Sequence, residues 1–302
     1  MDMTDKQRLV QFKNGNYTVI FDTETGSKMR VTEDDKFIAD FPESMDVKIC
    51  NRCDLGCPQC HECSVPDGEC GDILNAKFIE TLHPYTELAI GGGNPLEHPD
   101  LDVFLAKCLN LKLIPNMTVN QTHFMRDYDR IYNLYQNGLI RGLGVSLNDP
   151  TDEFIELIST IPTAVVHTIV GMTATPKIFE KLANHNLKVL ILGYKYHGRG
   201  VTYEAFNYDE LLTGLRDLRN EIDNLLLNDK FQVVSFDNLA VSQLKLEEHC
   251  SRENWETLYM GDDGEMTMYV DLVKGECARS SISTDRQPIK DNIAEMFKSI
   301  RK

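Results

Sequence analysis

The chain has no apolar run approaching the roughly 18 residues that cross a bilayer as a helix, and its first thirty residues are too polar and charged for a secretory signal. These absences argue against a membrane partner and point to a cytoplasmic protein. Positive charge is also scarce, with 31 Lys and Arg against 47 Asp and Glu and a formal net charge of −16. Acidity of that size repels phosphate backbones, and no basic run offers a local channel, so no nucleic-acid partner is expected. There is no Pro/Ser-rich linker, low-complexity tract or fixed-period repeat, so the 302 residues read as one domain with an extension at each end. What the chain does have is nine cysteines, an odd number and unevenly placed. In a reducing compartment such usage points to metal binding or catalysis rather than to a disulfide framework.

Residues 17–31, "YTVIFDTETGSKMRV", alternate apolar and polar around "TETGS" and predict a hairpin. From Asp46 a second rhythm begins. "DVKIC", "ELAIGGG", "KLIPNMTVN", "GLGVSLN", "AVVHTIVG" and "LKVLILG" read as six buried strands, each followed by a helix candidate. "HPDLDVFLAKCLN" places Leu101, Phe104, Leu105 and Cys108 on one helical face, which makes Cys108 a core residue. "FMRDYDRIYNLYQNG" ends at the capping residue Gly138, and Asp149 is the expected N-cap before Pro150 in "NDPTDEFIELISTI". Six βα repeats specify a parallel sheet with right-handed crossovers, open or curled, whose ligand site lies beyond the carboxyl ends of the strands. A long amphipathic helix and a seventh strand, "FQVVSF", follow. The tail reads as strands joined by "GDDG" and "KGE" and closed by the helix "KDNIAEMFKSI".

Five cysteines fall within fourteen residues of "KICNRCDLGCPQCHECSV". Cys53, Cys57 and Cys60 form a C-x3-C-x2-C array directly after the first predicted strand, and Gly56 and Pro58 turn the loop so that three thiolates converge. Iron–sulfur clusters take cysteine thiolates, usually four; a cubane given three keeps one iron open, and an open metal position is a reactive one. The alternative is structural zinc held by these three and one of Cys50, Cys63 or Cys70. The spacing by itself leaves both open.

This spacing after a first strand resembles the signature of the radical S-adenosylmethionine superfamily, and the resemblance continues from about Asp46 to Gly200. "GGNPL", Gly92 to Leu96, stands where that family has a Gly-Gly-Glu-Pro motif at the amino group of the methionine moiety; Asn94 replaces the glutamate. "VSLND" stands where a Ser followed by Asp or Asn lies near ribose and carboxylate, and "HTIVGM" and "LILGYKYHGRG" stand where the chain flanks adenine. The resemblance implies a partial (β/α)6 barrel over residues 46–237, TIM-barrel-like, with an N-terminal hairpin extension over 1–45 and an α+β capping extension over 238–302. It implies a [4Fe-4S] cluster on Cys53, Cys57 and Cys60, with S-adenosylmethionine cradled by Gly92, Gly93, Asn94, Ser146, Asn148, Gly171 and Tyr194. Its chemistry is reductive cleavage to a 5′-deoxyadenosyl radical that abstracts a substrate hydrogen, in an oxygen-sensitive enzyme served by a reductant such as flavodoxin or ferredoxin.

Lys195 and Arg199 in "GYKYHGRG" bring positive charge into an acidic chain and are the candidate groups for an anionic substrate; Asn120 and His123 are expected at the same mouth, and His61 beside the cluster. Cys63, Cys70, Cys250 and Cys277 are too few and too scattered for the cysteine-rich auxiliary domain of some relatives, and read as ordinary small residues. Neither such a tail nor a winged leader-binding module is expected, which favours a small molecule or a short peptide as substrate. Two rival readings remain: a zinc-stabilised binding protein, and a non-catalytic regulator that binds S-adenosylmethionine.

Overall fold

The computed structural model describes residues 8–301; the first seven residues of the expected N-terminal extension, and Lys302, lie outside them. Strands β1 (Leu9–Asn14), β2 (Tyr17–Asp22) and β3 (Lys28–Val31) form an antiparallel meander. Its second turn is the predicted "TETGS", where Gly26 takes a positive φ and donates to the Asp22 carbonyl. The alternation in β2 buries Tyr17, Val19 and Phe21.

The rest of the chain builds one ten-stranded sheet in the order β10-β9-β8-β7-β6-β5-β4-β11-β12-β13. Strands β4 (Ser44–Cys50), β5 (Glu87–Gly92), β6 (Ile114–Asn120), β7 (Gly142–Ser146), β8 (Ala164–Ile169) and β9 (Lys188–Leu192) are the six predicted strands, and β10 (Val233–Phe236) is the seventh. All seven run parallel in sequence order. The tail returns to the same sheet: β11 (Thr267–Asp271) pairs parallel with β4, and β12 (Glu276–Ala278) and β13 (Gln287–Pro288) follow antiparallel. The architecture is therefore α/β with a large, mostly parallel sheet.

Helices cover the crossovers. Leu101–Asn110 buries Leu101, Phe104, Leu105 and Cys108, the face expected from the sequence. Each of the two leucines and the phenylalanine contributes about 1.5–3 kcal/mol by burial. Four expectations need correction. The crossover after β4 carries only a short 3-10 turn, Lys77–Thr81, among the described residues. The single helix expected after β6 is two, Gln121–Arg126 and Tyr128–Gln136, broken at Asp127. The next helix, Asp152–Ser159, is capped by Thr151, whose Oγ1 accepts from Phe154 N; the Asp149 backbone is instead held by the Gln121 side chain. "GDDG" joins no strands, because helix Arg252–Leu258 precedes it.

Candidate active-site cavity

The side chains of β4–β9 that face away from the helices leave a hollow. At positions 89, 91, 142 and 144 this lining is Ala or Gly, and the space they leave open forms a cavity of about 800 Å³ bounded at one end by Cys53, Cys57 and Cys60. At Gly144 an added Cβ would sit 2.3 Å from the His167 Cε1 atom, so a side chain there would require the imidazole to move. The interior of this sheet is thus left open rather than filled by large side chains.

The cysteine loop leaves the end of β4 and is fixed at several points. Gly93 N donates to Cys50 O, Asn94 N to Arg52 O, and Cys53 N to Val65 O. Gly92 has φ +115°, and a Cβ there would fall 2.4 Å from Cys50 O. The two glycines thus let the β5 turn press against the root of the loop. Arg199 closes it from the other side: Nε donates to Cys57 O at 2.9 Å, Nη1 to Ser64 O at 3.0 Å, and the backbone N to Cys60 O at 3.1 Å. Arg199 was expected to face substrate; it lies off the cavity, its guanidinium spent on loop carbonyls. Gly198 supplies the positive φ that aims it, where an added side chain would meet His61 O and the Cys63 sulfur.

Cys53, Cys57 and Cys60 are free and half-buried. Burial pushes the thiols of Cys53 and Cys57 up, so each loses a proton when it takes a metal. Among the described residues, the one group of three metal-donor atoms lying within 4.8 Å of one another is Cys53, Asp54 and His123, not the three thiols. Two thiolates on one tetrahedral zinc, each about 2.3 Å from the metal, stand roughly 3.8 Å apart. The three thiols are therefore not all gathered at the spacing that one tetrahedral ion would impose. Cys50 and Cys70, expected to be reduced, are disulfide-bonded, because residues 69–71 fold back beside the end of β4 in an antiparallel bridge. This corrects their candidacy as extra ligands. Cys63 is exposed, Cys250 half-buried and Cys277 buried, and none belongs to a donor group among the described residues.

Of the other expected site residues, Gly92, Gly93, Asn120, His123, Ser146, Tyr194 and Lys195 line the cavity. Asn94, Asn148 and Gly171 do not. Asn94 is buried and caps the short turn Pro95–Glu97, its Oδ1 accepting from Leu96 N. Asn148 exchanges two amide hydrogen bonds, 3.0 and 2.8 Å, with Asn120 and so fixes the residue that does line the wall. Gly171 is a packing position, where the chain touches Leu211 and Gly214 of helix Arg199–Leu227. His123 Nε2 lies 2.7 Å from Asp54, and that contact together with Arg126 holds the Asp54 carboxyl down to about 2.

The polar wall opposite joins the expected His61 and Lys195 to Lys48, Glu62 and Asp271, which the sequence reading missed. Lys48 is buried and pairs with Glu62 at 2.6 Å and Asp271 at 3.3 Å. Burial alone would lower the Lys48 ammonium, but the two carboxylates outweigh it. Burial likewise opposes the Glu62 carboxylate, and His61 and Lys48 overcome that penalty. Lys195 Nζ stands 3.2 Å from His61 Nε2 and 2.9 Å from Ser281 Oγ, with no carboxylate partner among the described residues. Enclosure and the nearby Lys195 hold His167 down to about 4, so its imidazole is neutral. The sequence did carry a signal here: Asp46 and Lys48 are charges two apart inside an otherwise apolar strand.

Fold and site together define an α/β protein with a hollow parallel sheet and a three-cysteine loop at the strand ends. No protein-family model matches the chain, and no curated protein matches it. Among solved structures, its fold is similar to that of Streptococcus suis SuiB. SuiB bound to S-adenosylmethionine matches with TM-score 0.65 and 11% identity over 98% of this chain and 90% of that one. SuiB bound to the precursor peptide SuiA matches with TM-score 0.62 and 12% identity over 97% and 87%.

Proposed function

We propose that this chain is a radical S-adenosylmethionine enzyme that acts on a peptide or small molecule held in the sheet cavity. The observation that carries the reading is the convergence of Cys53, Cys57 and Cys60 with Gly92, Gly93 and Ser146 at one end of a hollow sheet. The likeness in fold to a protein crystallised with S-adenosylmethionine supports it. Strands β4–β9 then form the partial (β/α)6 barrel over residues 46–237, with residues 1–45 and 238–302 as extensions. Cys53, Cys57 and Cys60 would hold a [4Fe-4S] cluster, which when bound would pass an electron for the reductive cleavage of S-adenosylmethionine and so make hydrogen abstraction from a substrate possible.

The chain's own residues have defined tasks. The Gly92–Gly93 turn offers backbone to the methionine end, Ser146 and Asn120, the latter held in place by Asn148, offer hydrogen bonds to the ribose, and Tyr194 supports the nucleoside with its hydroxyl tied to Gly200 O. Arg199 sets the cysteine loop in place. A precursor peptide in SuiB favours a peptide over a free metabolite as the substrate class. The electron comes from a reductant of the flavodoxin or ferredoxin kind, and the loaded enzyme is oxygen-sensitive.

The test is anaerobic reconstitution with iron and sulfide, followed by dithionite and S-adenosylmethionine. We expect a brown protein that forms 5′-deoxyadenosine, and no product from Cys57→Ala. A colourless protein with one zinc and no labile sulfide overturns the reading in favour of a zinc-stabilised binding protein. A brown protein that binds S-adenosylmethionine without cleaving it makes the chain a regulator.

A further inference from the structure

The cavity contains a carboxylate that the chemistry above leaves unused. Asp46 points inward from β4, on a ladder rung shared with Ala89, Asn116 and, across β11, Tyr269. Its side chain makes no hydrogen bond or ion pair among the described residues. Every other carboxylate around it is engaged. Glu62 pairs with Lys48, and Glu87 with Lys28. Asp237 accepts from Gly193 N and Ala240 N, Asp262 from the Tyr259 hydroxyl, and Asp263 from Asn238.

Asp46 also stands where two spaces meet. A second recess of about 480 Å³ shares Gly26, Asp46, Glu87 and Asp237 with the main cavity and is lined further out by Asp262 and Asp263. The cations on that recess are already committed, Lys28 and Arg30 to Glu43, and Arg279 to the Asp263 carbonyl. Loss of water around it pushes the Asp46 carboxyl up, Lys195 draws it down, and Asp263, Asp237 and Glu62 push it up again, although the residue stays open to the cavity. The field along this path attracts cations and repels anions.

We infer that Asp46 is the substrate-recognition residue of the cavity and that it binds an alkylammonium group of the substrate, presented by a lysine side chain or by a free amino terminus. The inference rests on the reading of the cavity as a substrate site. It names the polarity of that substrate at its inner end, where small residues at 89 and 142 leave room for a slim chain. Asp46 is open to the cavity space rather than sealed in the protein, so its carboxylate is free to take a charge-assisted hydrogen bond from an incoming ammonium. Lys195 is the cation with the largest opposing influence on Asp46, and unlike Lys48 it has no carboxylate partner among the described residues.

Calorimetric titration of the anaerobically purified full chain, loaded with cluster and S-adenosylmethionine, tests this with three probes. Nα-acetyl-lysine amide carries only a side-chain ammonium, norleucine amide only an α-ammonium, and Nα-acetyl-norleucine amide neither. We expect one of the first two to bind at least tenfold more tightly than the third, and the preferred one identifies the source. Asp46→Asn should erase the preference, Asp46→Glu should restore most of it, and Lys195→Met should strengthen binding severalfold. Equal binding of all three probes, or a preference that survives in Asp46→Asn, overturns the inference. The last variant guards against misfolding, since a merely damaged cavity would weaken binding. Formation of 5′-deoxyadenosine by the wild-type protein without probes is measured in parallel, so the enzymatic reading and the ammonium site can fail separately.

Discussion

Gly92 and His167 show how far single positions control this site. At Gly92 a side chain is excluded twice, by a φ of +115° and by the Cys50 carbonyl 2.4 Å from any Cβ. Gly92→Ala should therefore cost about 1–3 kcal/mol of stability through backbone strain and should shift the root of the cysteine loop. Chemical denaturation and iron content after reconstitution measure the two effects, and a variant with wild-type values for both would show that the turn is not under constraint. His167 gives a pH dependence. Its folded-state value is lowered from 6.5 to about 4, so the unfolded chain takes up a proton that the folded one refuses. The stability it contributes is present above pH 6.5 and is lost as pH falls toward 4. His61, lowered chiefly by burial, acts in the same direction. Urea midpoints at pH 7.5 and 4.5 should fall less for His167→Gln than for the wild type. An identical fall would assign the acid sensitivity elsewhere.

At the scale of elements, the strands were legible because apolar runs between turn signals leave few alternatives, and the seven strands β4–β10 lie where the pattern put them, whereas the parallel pairing of β11 with β4 was not foreseen. The three-cysteine loop was legible because its spacing is local. What local pattern does not carry is how a side chain far along the chain uses a loop's backbone. Arg199, 139 residues after Cys60, reads from sequence as a free cation near a ligand, yet it bonds carbonyls of a loop it meets only in the fold. The same blindness hid the Cys50–Cys70 bridge, which depends on a fold-back of the intervening chain, and the capping duty of Asn94. Arg199→Ala should accordingly lower cluster occupancy severalfold while leaving helix Arg199–Leu227 formed, because helix content does not depend on those loop contacts. Labile-sulfide assay and far-ultraviolet circular dichroism separate the outcomes. Arg199→Lys should recover only part of the occupancy, since one ammonium cannot reproduce a planar fork reaching Cys57 O and Ser64 O together. Full occupancy in Arg199→Ala would return the residue to the solvent.

For the whole molecule, the question is how an N-terminal meander becomes part of a sheet protein. The joint is Glu43, whose backbone links Met266 and Glu87 while its buried side chain collects Tyr17 from β2 and Lys28 and Arg30 from β3. Burial raises a carboxylate, but the Arg30 and Lys28 contacts overcome it and the Glu43 carboxyl is held low. Its contribution is therefore complete above the unfolded carboxylate range and is lost as pH falls below it. Removing it by Glu43→Ala strands Arg30, while Lys28 keeps Glu87, so the expected loss is about 3 kcal/mol, the low end for breaking a buried pair. Glu43→Gln, which keeps the hydrogen-bonding oxygen for Tyr17, should lose less. The informative observation is the shape of the urea transition. If the meander is integral to the sheet, both variants shift one cooperative transition followed alike by tyrosine fluorescence and circular dichroism. If Glu43→Ala instead splits it, with the meander leaving first at low denaturant, residues 8–31 are an appended unit and the cavity wall at Phe21, Thr25 and Gly26 is a detachable one.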